Sequence, residues 1–275
     1  MRRTGVIGEV DSVGAHDHVC FVYTERAEWR AAARSFAVSG LAADQRVLMV
    51  ADPEEDCWWE TDDILGAALR SGRAELLHRK TAYADDLADP SDQVDVYRDA
   101  TDRAIRDGFR GLRAFADATG LAGPPPAMDR LIRYEHLVDG YMDGHPFRGM
   151  CGYDRAAIAP ADLRRLACRH PSSSPGYAPF RVYAESGGLR LAGDIDYDNV
   201  ELLTEVLRSM GLPATGSAVE LDGAGLDFVH HAGLVALARL AQESGGRIVV
   251  RGGPAVVKRL ADMLSLNDAG LEVIA

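Results

Sequence analysis

The sequence predicts an α/β protein built from two domains. Short apolar runs rich in β-forming residues alternate with segments of helical spacing along most of the 275 residues. This length fits one large domain or two modest ones. The segment HPSSSPGYAP at 170–179 concentrates serine and proline, as extended or flexible linkers do. We therefore predict a first domain over 1–170, a linker over 171–179 and a second domain over 180–275.

The first domain is predicted to form a parallel sheet with intervening helices. Its first strand, HVCFVY at 18–23, precedes a helix that carries on one face the residues Trp29, Ala33, Phe36 and Gly40. Further strands are predicted at 46–51, 74–80, 111–118 and 147–154. Further helices are predicted within 51–72 and at 93–107, 128–138 and 159–169. Strands separated by helices indicate parallel connections.

The second domain is predicted to follow the order β-β-α-β-α-β-α-β. Gly187-Gly188 divides 180–196 into a hairpin. The remaining strands are predicted at 217–223, 247–253 and 271–275. Helices are predicted at 199–211, at 231–246 and from Pro254 onward. The predicted buried face of the last helix consists of Val256, Val257, Leu260 and Leu264.

Composition favours a cytoplasmic protein that binds no nucleic acid directly. The formal net charge is −12, and the basic residues are scattered rather than clustered on one face. No apolar run reaches the roughly 18 residues of a membrane span, and no apolar stretch follows the N-terminal arginines. The four cysteines show no CxxC spacing, which is typical of free thiols in a reducing compartment.

Recognised catalytic motifs are absent from the sequence, which lacks GxxxxGK[ST], GxSxG and HExxH. His18 and Cys20 share one face of their strand, and together with Cys151 they have the chemistry of a soft metal site. We favour the alternative of buried thiols and a hydrogen-bonded core histidine, because their spacing matches no zinc pattern. We therefore predict no metal, no cofactor and no enzymatic activity. A degenerate nucleotide-binding enzyme that uses these three residues remains the weaker alternative.

Two motifs in the second domain carry a family resemblance. LAGDID at 191–196 is similar to an L-x-G-x-[LI]-D motif, and VELDGAGLDFVHHAGL at 219–234 is similar to V-x-L-D-x-x-x-x-x-F-[IV]-D-S-x-G-L. Both motifs belong to the STAS domain of anti-sigma factor antagonists and sulfate-transporter tails. The resemblance implies binding to an anti-sigma factor of the serine-kinase type, through a loop at 223–230 and the helix after it. The residues it implies for this contact are Asp194, Asp196, Asp198, Asp227, His230 and His231.

The second motif departs from the family pattern just before its helix. Members that are switched by phosphorylation carry Asp-Ser there, whereas this sequence carries His230-His231. His231 has no hydroxyl group, so the usual phosphoserine, which would change the charge at the helix start, cannot form. We expect partner binding that is independent of serine phosphorylation at this position and is controlled by the first domain.

The first domain carries a second resemblance. DHVCFVYTERAEW at 17–29, RYEHLV at 133–138 and MCGYDR at 150–155 are similar to the H-x-C-x-x-Y-x-x-x-E, Y-E and C-x-Y-D segments of the MEDS sensory domain. The resemblance implies a RecA-like parallel α/β sheet without a phosphate loop that senses small hydrocarbon derivatives. Ligands of parallel sheets bind at the carboxyl ends of the strands. The sensing pocket implied by the resemblance contains His18, Cys20, Tyr23, Glu135, Cys151, Tyr153 and Asp154.

Together the two resemblances imply a bacterial signalling protein that acts in transcription regulation and the stress response. The first domain would sense a small-molecule ligand, and the STAS domain would bind the anti-sigma factor and thereby release a sigma factor. The main alternative is a scaffold subunit of a stress-sensing assembly, in which the chain forms a homo-oligomer.

Overall fold

A computed structural model describes residues 3–15, 17–51, 57–83, 87, 89–212 and 214–274. Within these ranges the chain forms two sheets, one in each half. None of the described helices is long and apolar enough to cross a membrane. The predicted class is confirmed: a parallel α/β sheet domain is followed by a smaller α/β domain.

The first sheet consists of parallel strands, seven among the described residues. These are β1 (Gly5–Val6), β2 (His18–Tyr23), β3 (Arg46–Val50), β4 (Ala74–Leu77), β5 (Leu112–Asp117), β6 (Phe147–Asp154) and β7 (Ser172–Ser173). Their order across the sheet is β1-β7-β2-β6-β5-β3-β4. β2 and β6 are neighbours, with Cys20 opposite Cys151 in the register. The sheet therefore brings together two strands that are far apart in the sequence.

Helices cover both faces of this sheet. They are α1 (Arg26–Ala42), α2 (Trp58–Thr61), α3 (Asp63–Arg70), α4 (Arg79–Ala82), α5 (Pro90–Arg106), α6 (Ala127–Gly144) and α7 (Pro160–Ala167). Val19 and Phe21 of β2 pack with α1 and α3, whereas Cys20 and Val22 pack with α5 and α6 on the other face. Because both faces of β2 are buried, its sequence is a nearly continuous apolar run.

Several predicted elements of the first domain have different bounds in the structure. The helix predicted at 128–138 continues to Gly144. The strand predicted at 74–80 ends at Leu77, and the residues from Arg79 onward form α4. The helix predicted within 51–72 is interrupted at Asp62. The carboxylate of Asp62 accepts two backbone hydrogen bonds from the first turn of α3 and so caps that helix.

The second domain has the predicted element order. It contains β8 (Phe180–Glu185), β9 (Gly188–Ile195), α8 (Val200–Ser209), β10 (Ala218–Val229), α9 (His231–Ser244), β11 (Arg247–Arg251), α10 (Ala255–Met263) and β12 (Leu271–Ile274). The sheet order is β12-β11-β10-β9-β8, with β8 antiparallel to β9 and the other neighbours parallel. Gly193 of the LAGDID motif has a φ of 91°, and a Cβ there would lie 2.7 Å from the carbonyl oxygen of Pro179. This motif position therefore requires glycine.

β10 is longer than the sequence predicted. The strand expected at 217–223 continues to Val229 and shows two register shifts against β9. The segment 223–230, expected to be a loop that contacts the partner, is therefore mainly the irregular end of a strand. Its glycines weaken the strand pattern and permit the bulges.

The predicted buried face of α10 is correct only in part. Val257 is buried and Leu260 is partly buried against the core of the second domain. Val256 and Leu264, which the helical spacing also assigned to this face, are 55% and 42% exposed. The helix is short and lies at one side of the domain, so a narrower stripe of its surface meets the core.

The segment predicted to be an extended or flexible linker is extended and partly buried. Ser172 and Ser173 form β7, which pairs with β1 on one side and β2 on the other. Both serines are fully buried. Part of 171–179 is therefore a strand of the first sheet.

The two domains meet at β8, the edge strand of the second sheet. The Val182 amide donates to the Cys168 carbonyl at 2.8 Å, and the Ala184 amide donates to Oδ2 of Asp139 in α6 at 2.6 Å. The Arg169 guanidinium donates to the Val182 carbonyl. The Cys168 side chain packs in the core of the second domain. The first domain thus covers this strand edge with directed hydrogen bonds.

Candidate functional site

A buried polar cluster lies where β2 and β6 meet α6. Its members are His18, Glu135, Asp139, Cys151 and His170. His18 begins β2, and Cys151 lies on the neighbouring strand β6. Glu135 and Asp139 are about one helical turn apart on α6, so both carboxylates point toward the sheet. His170 follows the end of α7.

Glu135 is at the centre of this cluster. Its Oε2 lies 3.2 Å from Nε2 of His18 and 3.3 Å from Nε2 of His170. The Cys151 thiol lies 3.7 Å from the same oxygen. The other carboxylate oxygen, Oε1, accepts a hydrogen bond from the Tyr153 hydroxyl at 2.6 Å. One carboxylate thus faces two imidazoles, a thiol and a phenol.

Both imidazoles are oriented through their second nitrogen. Nδ1 of His18 lies 2.9 Å from Oδ1 of Asp139, and Nδ1 of His170 lies 2.8 Å from the Leu166 carbonyl oxygen. Both partners are acceptors, so each Nδ1 carries a hydrogen. The ring centroids are 4.2 Å apart. The two rings therefore direct their Nε2 atoms toward the same point.

Burial and charge set the protonation of the cluster. Burial alone would raise the pKa of Glu135, but the two histidines outweigh it and hold this pKa well below its usual value. Burial would lower the pKa of His18, yet hydrogen bonds to Asp139 and Glu135 raise it. The pKa of His170 is lowered by burial and by the charge of His18. Burial and Glu135 raise the pKa of Cys151 well above its usual value. At neutral pH the cluster thus combines ionised Glu135 with a neutral thiol.

The structure brings together four of the seven predicted sensing residues: His18, Glu135, Cys151 and Tyr153. Cys20 lies on the same face of β2 as His18 and is fully buried. It is the register partner of Cys151 and therefore borders the cluster.

Tyr23 and Asp154 lie elsewhere, at the carboxyl ends of β2 and β6. Tyr23 points to the opposite face of the sheet, where it stacks on Trp29 and donates a hydrogen bond to Asp117 at 2.7 Å. Asp154 accepts from the Ala156 amide at 2.8 Å in the turn after β6. The buried cluster therefore lies lower in the sheet, near the amino end of β2, and not at the carboxyl ends of the strands, where the pocket was expected.

Sequence reasoning missed Asp139 and His170. Asp139 follows Glu135 by four residues on a helix face that is otherwise largely apolar, and this acidic pair is a signal that could have been used. His170 opens the serine- and proline-rich segment, whose composition indicated a surface linker. Its burial depends on the short strand β7, which the composition concealed.

The residues predicted for partner binding lie around the carboxyl ends of β9 and β10. The exposed carboxylates there belong to Asp194, Asp196, Asp198 and Asp227. The Asp196 carboxylate also accepts a hydrogen bond from the Asn199 amide at 3.0 Å, which caps the turn before α8. The structure thus gathers the acidic residues on one surface.

Two exposed aromatic residues lie on this same surface. Tyr197 is 71% exposed, and Phe228 is 50% exposed and lies opposite Asp194 in the register. The sequence analysis did not assign either to partner binding. We call this surface, formed by the four carboxylates, the two aromatic residues and the histidines at the start of α9, the acidic–aromatic surface.

The two histidines at the start of α9 differ in role. Nδ1 of His230 accepts a hydrogen bond from the Ala232 amide at 3.3 Å and so caps the helix, and its ring contacts that of Tyr197. His231 is the first residue of α9 and is exposed. The position at which the resemblance implied a serine therefore faces solvent at a helix N-terminus.

The fold and these two sites define a sensory α/β domain joined to a partner-binding domain. Residues 17–171 match the family model described as MEthanogen/methylotroph, DcmR Sensory domain (MEDS). Residues 180–274 match the model described as Mlab, STAS domain. Because the first match covers more than half of the chain, the chain belongs to the MEDS family, and a STAS domain follows its sensory domain. No curated protein matches the chain.

These matches confirm both resemblances and their order along the chain. The domain pair is that of a sensory and regulatory protein with an anti-sigma factor antagonist-like domain. A STAS domain interacts with partner proteins, which agrees with aromatic residues exposed among carboxylates on this domain.

Proposed function

We propose that the chain is a non-enzymatic signalling protein in stress-responsive transcription. The first domain senses a small molecule, and its state sets the binding of the STAS domain to an anti-sigma factor of the serine-kinase type. Binding of that kinase would release a sigma factor. The observation that carries this proposal is the side chain of Asp139, which contacts His18 through Oδ1 and the Ala184 amide through Oδ2. One carboxylate therefore connects the buried cluster with the edge strand of the STAS sheet.

The acidic–aromatic surface supports a protein partner. Exposed aromatic residues such as Tyr197 and Phe228 contribute large contact areas when a partner buries them. The surrounding carboxylates favour a basic partner surface and speed its association. A kinase surface with an apolar pocket and a basic rim would match this arrangement.

The exposed His231 supports control by the sensory domain instead of by serine phosphorylation. His231 has no hydroxyl group that a serine kinase could modify. It lies at the start of a helix, where a phosphate would alter partner binding. A partner of the serine-kinase type would therefore bind this STAS domain without inactivating it at that position.

Burial of the cluster supports a regulatory role in place of an enzymatic one. His18, Glu135 and His170 are fully buried, and Cys151 is 6% exposed. A substrate would not reach these groups without an opening of the domain. A small ligand that enters during such an opening would instead change the packing of α6.

Calorimetry with the purified full chain and a purified serine-kinase anti-sigma factor of its host tests this proposal. We expect the wild type to bind, and Phe228→Ser to weaken the affinity by about tenfold or more through loss of an aromatic anchor. Met263→Ser is the matched control, because Met263 is a 79% exposed apolar residue on a different element, the helix α10. Absence of wild-type binding, or equal effects of the two substitutions, would refute the proposed partner.

Incubation with the kinase and ATP tests the role of His231. We expect His231→Ser to bind before ATP is added, and then to gain a phosphate at that position and lose affinity. The wild type should keep its affinity after ATP. A wild type that loses affinity on phosphorylation elsewhere would refute control by the sensory domain alone.

A scaffold role is the second candidate, and the exposed face of α10 favours it. Val256, Met263 and Leu264 are 55%, 79% and 42% exposed, which is unusual for neighbouring apolar residues of a monomer. Under this reading the full chain forms oligomers in solution, and Met263→Ser weakens them. A monomeric mass at micromolar concentration would exclude this candidate.

A further inference from the structure

The buried cluster has the geometry of a metal site. Four residues each offer one donor atom, and these four atoms all lie within 4.8 Å of one another. The residues are His18, Glu135, Cys151 and His170. Zinc lies about 2.0–2.1 Å from nitrogen and oxygen ligands and about 2.3 Å from sulfur ligands. In a tetrahedral site with these bond lengths, a nitrogen and an oxygen ligand are roughly 3.3 Å apart, and a sulfur and an oxygen ligand are roughly 3.5 Å apart. The distances to Oε2 of Glu135 are 3.2 Å and 3.3 Å for the imidazoles and 3.7 Å for the thiol. These spacings match three edges of such a tetrahedron.

The orientation of the imidazoles points to the same conclusion. Both Nδ1 atoms are engaged by acceptors, so the ring of a neutral His170 directs the lone pair of its Nε2 toward Glu135. This Nε2 is buried and has no hydrogen-bond partner of good geometry, although a carboxylate oxygen lies 3.3 Å away. A proton on His18 satisfies its own contact with Glu135 and leaves the Nε2 of His170 unsatisfied. A cation among the four donors satisfies all of them.

We propose that His18, Glu135, Cys151 and His170 bind one divalent transition-metal ion of the zinc class. Two imidazoles, a thiolate and a carboxylate are ligands of zinc, whereas magnesium and calcium prefer oxygen alone. The thiol proton of Cys151 and the proton on Nε2 of His18 leave to solvent when the metal binds. Four protein donors leave no open position, so the site is of the closed, structural kind. This ligand set differs from the one weighed from sequence, because His170 and Glu135 take part and Cys20 does not.

A second layer of contacts fits this assignment. Metal-binding histidines usually donate their other ring nitrogen to a carboxylate or a backbone carbonyl. His18 does so to Asp139, and His170 does so to the Leu166 carbonyl. The Tyr153 hydroxyl donates to the free oxygen of Glu135. These contacts hold three of the four ligands, His18, His170 and Glu135, in place before any metal binds.

The metal site adjoins the contact between the two domains. Asp139, which orients His18, also accepts from the Ala184 amide of the STAS edge strand. His170 directly follows Arg169, which donates to the Val182 carbonyl of the same strand. Metal loading would therefore fix α6 and the residues after α7 against the STAS domain. This coupling rests on the proposed function, whereas metal binding itself does not.

Metal titration of the full chain tests the proposal. The experiment uses a Cys57→Ser background, since Cys57 is exposed and would bind metal adventitiously. Any metal bound to the purified chain is first removed with a chelator, and Zn²⁺ or Co²⁺ is then added back. The amount of metal that stays bound to the chain is measured by mass spectrometry of the released metal ion. We expect one equivalent per chain, and Co²⁺ should show tetrahedral d–d bands with a thiolate charge-transfer band. Failure of the folded chain to retain one equivalent would overturn the proposal.

Two cysteine variants assign the sulfur ligand. Cys151→Ser should abolish the thiolate charge-transfer band, while Cys20→Ser, the matched buried thiol on the neighbouring strand, should retain it. Asp139→Asn should weaken zinc affinity about 10–100-fold through loss of orientation of His18. Equal effects of the two cysteine variants would refute the ligand set. If Cys151→Ser does not fold, X-ray absorption at the zinc edge of the wild type gives the number of sulfur ligands. One sulfur ligand supports the proposed site, and none or two would overturn it.

The same samples separate this proposal from the proposed function. One equivalent of zinc with unchanged kinase affinity would support the metal site and refute its coupling to the STAS domain. Kinase binding without any zinc would support the partner and refute the metal site.

Discussion

Replacement of Asp139 by alanine measures how strongly the sensory domain is connected to the STAS domain. Asp139 is fully buried and accepts two hydrogen bonds, from Nδ1 of His18 at 2.9 Å and from the Ala184 amide at 2.6 Å. Alanine removes the carboxylate that accepts from both buried donors, at about 1–3 kcal/mol each, so the free energy of unfolding should fall by about 2–6 kcal/mol. Asparagine keeps one acceptor oxygen, so Asp139→Asn should lose about half as much.

Urea unfolding of the full chain is the assay. All three tryptophans lie in the sensory domain, so their fluorescence reports on that domain, whereas far-ultraviolet circular dichroism reports on both. In the wild type we expect the two signals to change together, and in Asp139→Ala we expect them to separate. Hydrogen exchange should show faster exchange of the Ala184 amide in the variant.

Asp143→Ala is the matched control for this prediction. Asp143 lies one turn further along α6 and also accepts two backbone hydrogen bonds, from Ser186 and Gly187 at the surface of the β8–β9 hairpin. Water can replace these bonds, so the cost should be about 1 kcal/mol or less. The reasoning is refuted if Asp139→Ala costs no more than Asp143→Ala, or if exchange of the Ala184 amide is unchanged.

Three further predictions concern the fold. Gly152→Ala should destabilise the chain by about 1–3 kcal/mol, because a Cβ there would lie 2.5 Å from the ring of Trp29; an unchanged urea midpoint would contradict this. Gly245→Ala should cost about 1–2 kcal/mol, since Gly245 ends α9 in the left-handed region with a φ of 63°, and thermal unfolding measures it. Asp62→Ala should cost about 0.5–2 kcal/mol at pH 7 through loss of the helix cap. Burial would raise the pKa of Asp62, but the Leu65 amide and other partners lower it overall, so its contribution is present above the unfolded pKa of about 3.9 and disappears as the pH falls below it. The difference between Asp62→Ala and the wild type should therefore shrink in acid, and a difference independent of pH would oppose this reasoning.

The regular elements of both domains were predictable because their patterns are local. The apolar run of β2 and the helical spacing of α1 are set by residues within a few positions of each other. Glycine at 223 and 225 obscured the end of β10, since its bulges depend on pairing with β9. β7 has two serines and exists only because β1 and β2 accept it between them.

The only site residues that could be predicted from the sequence were those that share one strand or lie in one of the family motifs. Alternation places His18 and Cys20 on one face of β2, but nothing local shows which helix covers that face. The resemblance supplied Glu135, Cys151 and Tyr153 as sensing residues, and the structure places them around His18. Asp139 and His170 became visible only when α6 and the segment after α7 were in position.

The covered edge of β8 determines how this protein should be divided for experiments. A fragment that begins at 180 lacks Cys168, Arg169 and Asp139, which bind the outer side of that strand in the full chain. Its free amides and carbonyls would form a template for strand addition between molecules. Such a fragment should dimerise or aggregate through β8, and its self-association would be a product of the cut. Work on the STAS domain should therefore keep the sensory domain attached or supply a substitute for its edge contacts.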